Sequence, residues 1–428
     1  MITTAQYGRK RLKDSFWSFF LITVYLLPVN CVFSQERNVK YLGIENGLSN
    51  NAVTSICQDS KGFMWFGTYD GLNRYDGYNF ITFRHVIGDS SSLCDNSINC
   101  ITADSTHNLW IGSRNGVSVY NEATQSFSTV YYGNPDKRVR NKIIGNINFI
   151  KLCGSSLLVG ETDNNIFVFR NGSSVGQQLL IRTGNVTKRV YEPMALTWDE
   201  ARKVAWVFIQ NEGLGQYDGK TNEIRFVNTD IKSGNALQLD KHGNIWLGND
   251  NGLFYYNVTS HKYASIHFLS SAKVVSLCLD KLNWLWVASD GKGVFVVDST
   301  SRDIVRQFKT SSNAVYAIYD DKEGRKWIGT LRGGIDIIER NPSPFKKIED
   351  ATEPGTEGVK NFIMSFGESS DHNVWIGTDG GGLRYWNRSK DSYSEYIANP
   401  ASKTALSSNF ITSIITDNEG RTWFSTWF

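Results

Sequence analysis

A tryptophan that recurs in a fixed register is the feature that most constrains the fold of this 428-residue chain. Eight of the 13 tryptophans stand in that register, separated by 45, 96, 40, 40, 41, 48 and 48 residues. They are Trp65, Trp110, Trp206, Trp246, Trp286, Trp327, Trp375 and Trp423. The 96-residue interval is about twice the others and contains a ninth, degenerate copy with Leu158 at the tryptophan position. Periods of about 40 to 48 residues are typical of the four-stranded blades of a β-propeller.

The residues before each tryptophan form a turn motif, D-x-x-G-x-x-W-x-G. The first position is aspartate in six copies, with Glu200 and Ser369 in the other two. The fourth position is glycine in four copies and His107, Lys203, Asn283 or His372 in the rest. We expect the aspartate to accept hydrogen bonds from backbone N–H groups of the turn and the fourth residue to adopt a positive φ. The tryptophan should then be buried between neighbouring sheets.

Strand patterns surround each copy of the motif. In the first copy they predict strands at 52–58, 65–68, 72–75 and 79–85. The second and third of these are joined by Tyr69-Asp70-Gly71, and other copies have Asn-Gly at this turn, which is a tight-hairpin signal. Helical periodicity is absent, so the sequence predicts an all-β fold.

The number of copies predicts how the chain is organised. Seven copies, up to Trp327, predict a seven-bladed β-propeller of four-stranded blades over residues 35–344. Residues 37–43 should supply the outer strand of the seventh blade and close the ring, which removes open sheet edges. Two further copies predict that residues 345–428 form the first two blades of an incomplete second propeller, with Trp423 and Trp427 uncovered, in a truncated chain. One ring of eight or nine blades is the structural alternative.

The N-terminus has the pattern of a signal peptide. Arg9, Lys10, Arg11 and Lys13 precede an apolar run at 16–29 that is too short for an ordinary span of about 20 residues. Cleavage after Ser34 would leave residues 1–34 as the signal peptide and place the protein in the periplasm or outside the cell. An uncleaved anchor and a lipoprotein at Cys31 are the alternatives. No later run predicts a membrane span, and the charge of +3 lies in this segment, so nothing indicates nucleic-acid binding.

The sequence predicts no cofactor, metal site or catalytic set. Five cysteines follow Cys31, an odd number without CxxC spacing, so neither a disulfide framework nor a zinc site is predicted. Cys57 and Cys278 are expected to act as small apolar side chains on buried strands. The six histidines have no metal-ligand spacing, and the glycine clusters lead into strands, whereas a phosphate loop leads into a helix.

Residues 47–80, GLSNNAVTSICQDSKGFMWFGTYDGLNRYDGYNF, resemble the two-component regulator propeller repeat, as do the copies DKEGRKWIGTLRGG and DNEGRTWFST. The resemblance implies the periplasmic sensor region of a bacterial hybrid two-component system. In that family, propellers precede a β-sandwich, a membrane span and a histidine kinase, and oligosaccharides are typical signals. It therefore implies a chain that is not itself an enzyme, with an oligosaccharide or other small extracellular ligand and dimerisation through domains absent here.

A ligand site is expected where turns converge on the ring axis. The turns between second and third strands should share one rim, and planar polar groups with an aromatic ring suit a sugar. The predicted ligand-binding residues are Tyr69, Asp70, Arg114, Asn115, Asn249, Asp250, Asp290, Lys292 and Arg332. Two other classes remain open: a secreted propeller enzyme of the lyase or sialidase type, and a non-catalytic protein-interaction scaffold.

Overall fold

The computed structural model describes residues 39–427, except 105, 134–139, 163–164, 171–172, 174, 180–190, 220, 222 and 340–361. The predicted signal peptide lies outside these residues. The chain divides into two compact units, Met1–Ser343 and Pro344–Phe428. In the ranges that the structure describes, no helix has the length and apolar character needed to cross a membrane.

The first unit is built from short antiparallel strands, with two short 3-10 helices at Ile44–Asn46 and His267–Leu269. The strands are β1 (Val39–Leu42), β2 (Val53–Gln58), β3 (Met64–Thr68), β4 (Gly71–Tyr75), β5 (Phe80–Phe83), β6 (Ile98–Ala103), β7 (Leu109–Ser113), β8 (Gly116–Asn121), β9 (Ser126–Thr129), β10 (Tyr131–Gly133), β11 (Arg140–Lys142), β12 (Ile147–Cys153), β13 (Ser156–Glu161), β14 (Asn165–Arg170), β15 (Val175–Leu179), β16 (Pro193–Asp199), β17 (Val204–Ile209), β18 (Gly213–Asp218), β19 (Glu223–Asn228), β20 (Ala236–Leu239), β21 (Ile245–Asn249), β22 (Gly252–Asn257), β23 (Lys262–Ser265), β24 (Lys273–Leu279), β25 (Trp284–Asp290), β26 (Gly293–Asp298), β27 (Ile304–Phe308), β28 (Val315–Asp320), β29 (Lys326–Thr330) and β30 (Ile335–Ile338). The four strands predicted for the first copy are confirmed as β2 to β5.

These strands form sheets that we number along the chain. The sheets are 1 (β2-β3-β4-β5), 2 (β6-β7-β8-β9), 3 (β12-β13-β14-β15, extended by β10 and β11), 4 (β16-β17-β18-β19), 5 (β20-β21-β22-β23), 6 (β24-β25-β26-β27) and 7 (β28-β29-β30-β1). The first strand of each sheet contacts the first strand of the next, and β28 contacts β2. The first strands therefore form a closed ring of contacts.

The ring is joined where the start of the described chain meets sheet 7. Strand β1 pairs antiparallel with β30, with Val39 opposite Ile338 and Leu42 opposite Ile335. The outer strand of sheet 7 thus comes from the N-terminal side of sheet 1, as the sequence predicts for residues 37–43. Pairing two strands that lie almost 300 residues apart ties the ends of the ring together.

Sheet 3 departs from the four-stranded pattern. The connection between β9 and β12 contributes β10, which runs parallel to β15, and β11, which pairs with β10. The sheet therefore has six strands. A long connection can add strands here because the outer edge of β15 offers unpaired backbone groups.

Each interface between neighbouring sheets in the ring contains one residue of the tryptophan register. Trp65 packs between sheets 1 and 2 against Ile98 and Ile111, and Trp327 packs between sheets 7 and 1 against Phe66. The register residues of the other interfaces are Trp110, Leu158, Trp206, Trp246 and Trp286. All seven are buried, so the predicted burial of the ring between sheets is confirmed in this unit.

The second unit has a four-stranded sheet and a two-stranded sheet. Sheet 8 is β31 (Ile363–Glu368), β32 (Val374–Thr378), β33 (Leu383–Asn387) and β34 (Ser392–Tyr396), and sheet 9 is β35 (Ile411–Thr416) and β36 (Thr422–Thr426). Trp375 packs against Phe424 of sheet 9. Trp423 and Trp427 are 57% and 60% exposed, as predicted.

Candidate ligand-binding site

The aspartate turns lie at one end of each sheet, which we call the aspartate end. Asp59 shows the arrangement: Oδ1 accepts from the backbone N–H groups of Lys61 and Phe63 at 3.0 Å each, as predicted. Its Oδ2 accepts from the indole Nε1–H of Trp65 at 2.8 Å. The same indole bond joins Asp104 to Trp110, Asp280 to Trp286, Asp321 to Trp327 and Asp417 to Trp423. The sequence pattern predicts the backbone bonds but does not identify the indole bond.

The residue three positions before the tryptophan has a positive φ in each of the eight copies that contain the tryptophan. Gly62, Gly243, Gly324 and Gly420 have φ between 74° and 95°. The four non-glycine substitutes adopt it as well, with φ of 67° at His107, 55° at Lys203, 66° at Asn283 and 61° at His372. The prediction for this position is therefore confirmed, and these histidines lie in turns.

The prediction of Glu200 for the aspartate position in sheet 4 is wrong. The register places Glu200 there, but the structure places Asp199, which is buried and accepts from the backbone N–H of Arg202 at 3.0 Å. Glu200 is exposed and pairs with Lys203. An additional residue in this turn moves the carboxylate one position back from the tryptophan.

The opposite end of each sheet, the loop end, contains the turns between second and third strands. The side chain of the last residue of the second strand stabilises this turn by a hydrogen bond across it. Thr68 Oγ1 donates to Gly71 O at 2.9 Å, and Ser113 Oγ donates to Gly116 O at 2.9 Å. Asn249 holds the same position in sheet 5. It is 3% exposed, and its Oδ1 accepts from the Asn251 N–H at 2.8 Å. The geometry therefore gives this predicted ligand-binding residue a role within its own turn.

A β-bulge near the start of the first strand directs one residue of each sheet toward the ring axis. The pairing between first and second strands shifts at Thr54, Asn99, Asn148, Met194, Val275 and Tyr316. Asn235 takes the corresponding place before β20. Bulges re-aim side chains, and here they place a second set of residues at the loop end beside the predicted turns.

Four of these residues bridge to the next sheet by the same hydrogen bond. The side chain donates to the carbonyl oxygen that precedes the next bulge. The bonds are Thr54 to Ile98, Asn99 to Ile147 at 3.1 Å, Asn148 to Pro193 at 3.0 Å and Asn235 to Val274 at 3.1 Å. These bridges hold the first strands in register around the axis. The tryptophan register and the turn motif do not identify them.

The first strands enclose a central cavity of about 470 Å³. Residues of all seven sheets line it, including the bulge residues, Lys151 and Tyr319. The volume is within the range of roughly 300–1,000 Å³ that is usual for ligand pockets. The cavity lies on the axis expected from the sequence, but its lining comes from strands, whereas the predicted residues lie on turns.

The predicted acidic residues are engaged at the loop end. Asp70 Oδ2 pairs with Arg84 at 2.9 Å, and Asp250 Oδ1 accepts from Asn235 Nδ2 at 3.0 Å. Asp290 Oδ2 accepts from the Tyr316 hydroxyl at 3.2 Å.

The predicted cationic residues have fewer partners. Arg114 and Arg332 are exposed and have no side-chain hydrogen bond or ion pair with any residue that the structure describes. Lys292 Nζ donates to Ser271 Oγ at 3.3 Å. Asn115 is exposed beside Arg114 in the turn of sheet 2.

Tyr316 joins residues of three sheets and was not identified from the sequence. It is the bulge residue of sheet 7 and lines the cavity, while its partner Asp290 belongs to sheet 6. Burial, the Asp290 carboxylate and the nearby Tyr69 hydroxyl of sheet 1 together raise the pKa of Tyr316 to about 12. The fold therefore joins Tyr316 to Asp290 at the cavity mouth, with Tyr69 nearby.

One family model matches parts of the sequence. The sequence model described as "Two component regulator propeller" matches residues 47–70, 92–115 and 405–428. The chain is 37% identical over 76 residues to "Histidine kinase P4" of Formosa agariphila, which covers 18% of this chain and 5% of that protein.

Solved structures resemble the chain over most of its length. The extracellular domain of BT3049, assigned to the hybrid two-component systems of B. thetaiotaomicron, is 27% identical with a TM-score of 0.62, covering 91% of this chain and 52% of that one. The corresponding domain of BT4673 is 22% identical with a TM-score of 0.56, covering 91% and 51%. Virginiamycin B lyase of Staphylococcus aureus is 14% identical with a TM-score of 0.54, covering 71% and 99%, and shares the fold alone. The chain spans about half the length of the two-component structures it matches.

Proposed function

The chain is a two-component regulator propeller repeat protein, and we propose that it is the ligand-sensing region of a hybrid two-component regulator. It is exported by a signal peptide at 1–34 to the periplasm or cell exterior. Residues 35–344 are a seven-bladed β-propeller, and 345–428 are the first two blades of an incomplete second propeller. It binds an oligosaccharide and signals to a histidine kinase outside residues 1–428, with dimerisation through further domains.

The ring of contacts supports the blade assignment in the first unit. Sheets 1 to 7 place one register residue in each interface, and β1 completes sheet 7. In sheets 1 and 2, Trp65 packs against Tyr120 on the third strand of the next sheet at 5.0 Å between ring centroids. Sheet 9 has two strands in the described residues, and its register residue Trp423 is exposed. This difference supports an incomplete blade in the second unit.

The central cavity is the observation that carries the binding proposal. It is closed around its circumference by seven first strands and is lined at the loop end by Tyr316, whose hydroxyl bonds to Asp290 and which lies near Tyr69. An exposed tyrosine ring can cover the apolar face of a pyranose, while amide, hydroxyl and carboxylate groups bind its hydroxyls. The hydrogen-bonded bulges keep these groups in place before a ligand arrives.

A matched pair of tyrosines tests the site. Tyr69 is 49% exposed at the loop end, whereas Tyr78 is 89% exposed in a turn at the aspartate end. A panel of oligosaccharides is screened by thermal shift, and affinity for the stabilising sugar is measured by calorimetry. Tyr69→Ala should weaken binding by about tenfold, because an aromatic contact with the sugar is lost, and Tyr78→Ala should leave it unchanged. The proposal is contradicted if no sugar class stabilises the chain, or if the two variants have equal effects on binding.

The other functional classes give different results in the same experiments. Turnover of a glycan by the purified chain would indicate a secreted enzyme of the lyase or sialidase type. Neither stabilisation nor turnover would favour a protein-interaction scaffold. The signalling proposal is tested by the parent reading frame, where a β-sandwich, a membrane span and a kinase should follow residue 428.

A further inference from the structure

The central cavity carries one charged side chain. Among its described lining residues, Lys151 of β12 is the single basic side chain, and the lining contains no aspartate, glutamate, arginine or histidine. The other lining residues are neutral, with amide and hydroxyl groups at Asn99, Thr102 and Tyr319. An ammonium group therefore projects into a space that contains no carboxylate.

Nothing in the described chain neutralises this charge. Lys151 makes no side-chain hydrogen bond or ion pair with any described residue. Its charge lowers the pKa of the thiols of Cys57, Cys100 and Cys153, but burial has the larger effect and raises these values to about 11, 12 and 12. The thiols are therefore neutral at physiological pH and do not compensate the lysine.

The loop end shows the same imbalance. The predicted acidic residues there are engaged by Arg84, Asn235 and Tyr316. Of the predicted cations, Arg114 and Arg332 have no carboxylate partner in the described residues, and Lys292 contacts a hydroxyl. Each of the three carboxylates thus has a polar side-chain partner, whereas two of the three cations have none among the described residues.

We propose that the cavity binds an acidic oligosaccharide, with Lys151 as the charge partner of its carboxylate or sulfate group. This inference rests on the proposed sensing function and specifies its ligand class. An ion pair is stronger in a partly enclosed cavity than in bulk water, because the surrounding protein screens it less. A neutral sugar would leave the ammonium group unpaired, so the cavity should discriminate by charge.

Charge-matched ligands and two lysine variants test the inference with the full exported chain. Affinities are measured by calorimetry for galacturonate and galactose oligomers of equal length, and for a sulfated and an unsulfated galactan oligomer. Lys151→Met keeps the length of the side chain and removes its charge. Lys262→Met is the control, since Lys262 lies exposed on the outer strand β23. Circular dichroism establishes that both variants remain folded.

We expect at least one acidic oligomer to bind about tenfold or more tightly than its neutral counterpart. Lys151→Met should remove most of that preference, Lys262→Met should retain it, and added salt should weaken only the charged ligand. The uronate and sulfate pairs identify which anion is recognised. Equal affinity for neutral and acidic oligomers, or a preference that survives in Lys151→Met, overturns the inference and leaves the sensing function intact. Failure of every oligomer to bind overturns both.

Discussion

The indole bond at the aspartate turn can be tested because the copy in sheet 5 keeps the aspartate at the register position but lacks this bond. In sheet 1, Asp59 Oδ2 accepts from Trp65 Nε1 at 2.8 Å. In sheet 5, Asp240 makes the same backbone contacts through Oδ1, but the buried Oδ2 and the buried Nε1 of Trp246 have no hydrogen-bond partner among the described residues. Asp59→Asn and Asp240→Asn are therefore a matched pair. Each keeps an oxygen for the backbone and replaces the other oxygen with an NH₂ group.

The expected effects differ by the value of one charge-assisted hydrogen bond. In Asp59→Asn the amide NH₂ faces the indole N–H, so a bond worth about 1.5–3 kcal/mol is lost and a buried donor is left unpaired. In Asp240→Asn no indole bond is lost, and the cost should stay within about 0.5 kcal/mol. Urea unfolding at pH 7 and 25 °C, followed by tryptophan fluorescence and circular dichroism, measures both changes. We expect Asp59→Asn to lower the free energy of unfolding by about 2 kcal/mol more than Asp240→Asn.

The reasoning is refuted if the two variants lose equal stability, because the backbone contacts would then account for the whole role of the aspartate. A double-mutant cycle with Trp65→Phe adds a second criterion. Because a phenylalanine side chain has no N–H group to donate, the two changes should together cost less than the sum of their separate costs. Strict additivity would show that the indole bond contributes nothing measurable.

Three further predictions concern the ring and its charges. A chain that starts at Gly43 lacks β1, so sheet 7 loses its outer strand. Its Tm should be ~5 °C or more below that of a chain starting at Val39. Equal Tm values would exclude a role of β1 in closing the ring. Lys326 lies buried, 2.9 Å from one carboxylate and 3.5 Å from another, so Lys326→Met should cost about 3–5 kcal/mol in urea unfolding, and a cost near zero would contradict that pairing. Burial alone would raise the pKa of Asp321, but hydrogen bonds from indole and guanidinium donors outweigh it and lower the pKa. Ionised Asp321 therefore stabilises the folded state at neutral pH, and this stabilisation is lost as pH falls through the lowered pKa. In Asp321→Asn the urea midpoint should consequently decrease less between pH 6 and 3.

Local geometry was largely predictable from the sequence. The turn at Asp59, the positive φ at His107 and the burial of Trp65 each follow from a residue type at a fixed position in a short segment. The error at Glu200 has the same origin, because a fixed register cannot detect one additional residue in a turn. The predicted ligand-binding residues lie on turns at the loop end, and one of them, Asn249, is buried within its own turn.

The parts that could not be predicted depend on pairs of residues from different sheets. The Asn148 amide reaches a carbonyl oxygen 45 residues away, and the Tyr316 hydroxyl reaches Asp290 in the preceding sheet. The bonds equivalent to that of Asn148 span 44, 48 and 39 residues, so no fixed spacing identifies them. The isolation of Lys151 is likewise a property of the whole cavity, since it requires that no strand places a carboxylate opposite it.

The sequence by itself determined the repeating unit, because a tight turn, a glycine-like backbone position and a large buried ring act over fewer than ten residues. Only the tertiary structure decided which side chains surround the axis and which charges remain unpaired there. Bulges set the direction of those side chains, and the closure of the ring by β1 and β30 sets their neighbours. Binding chemistry depends on distances across the cavity, and such distances are fixed only when all the sheets are assembled.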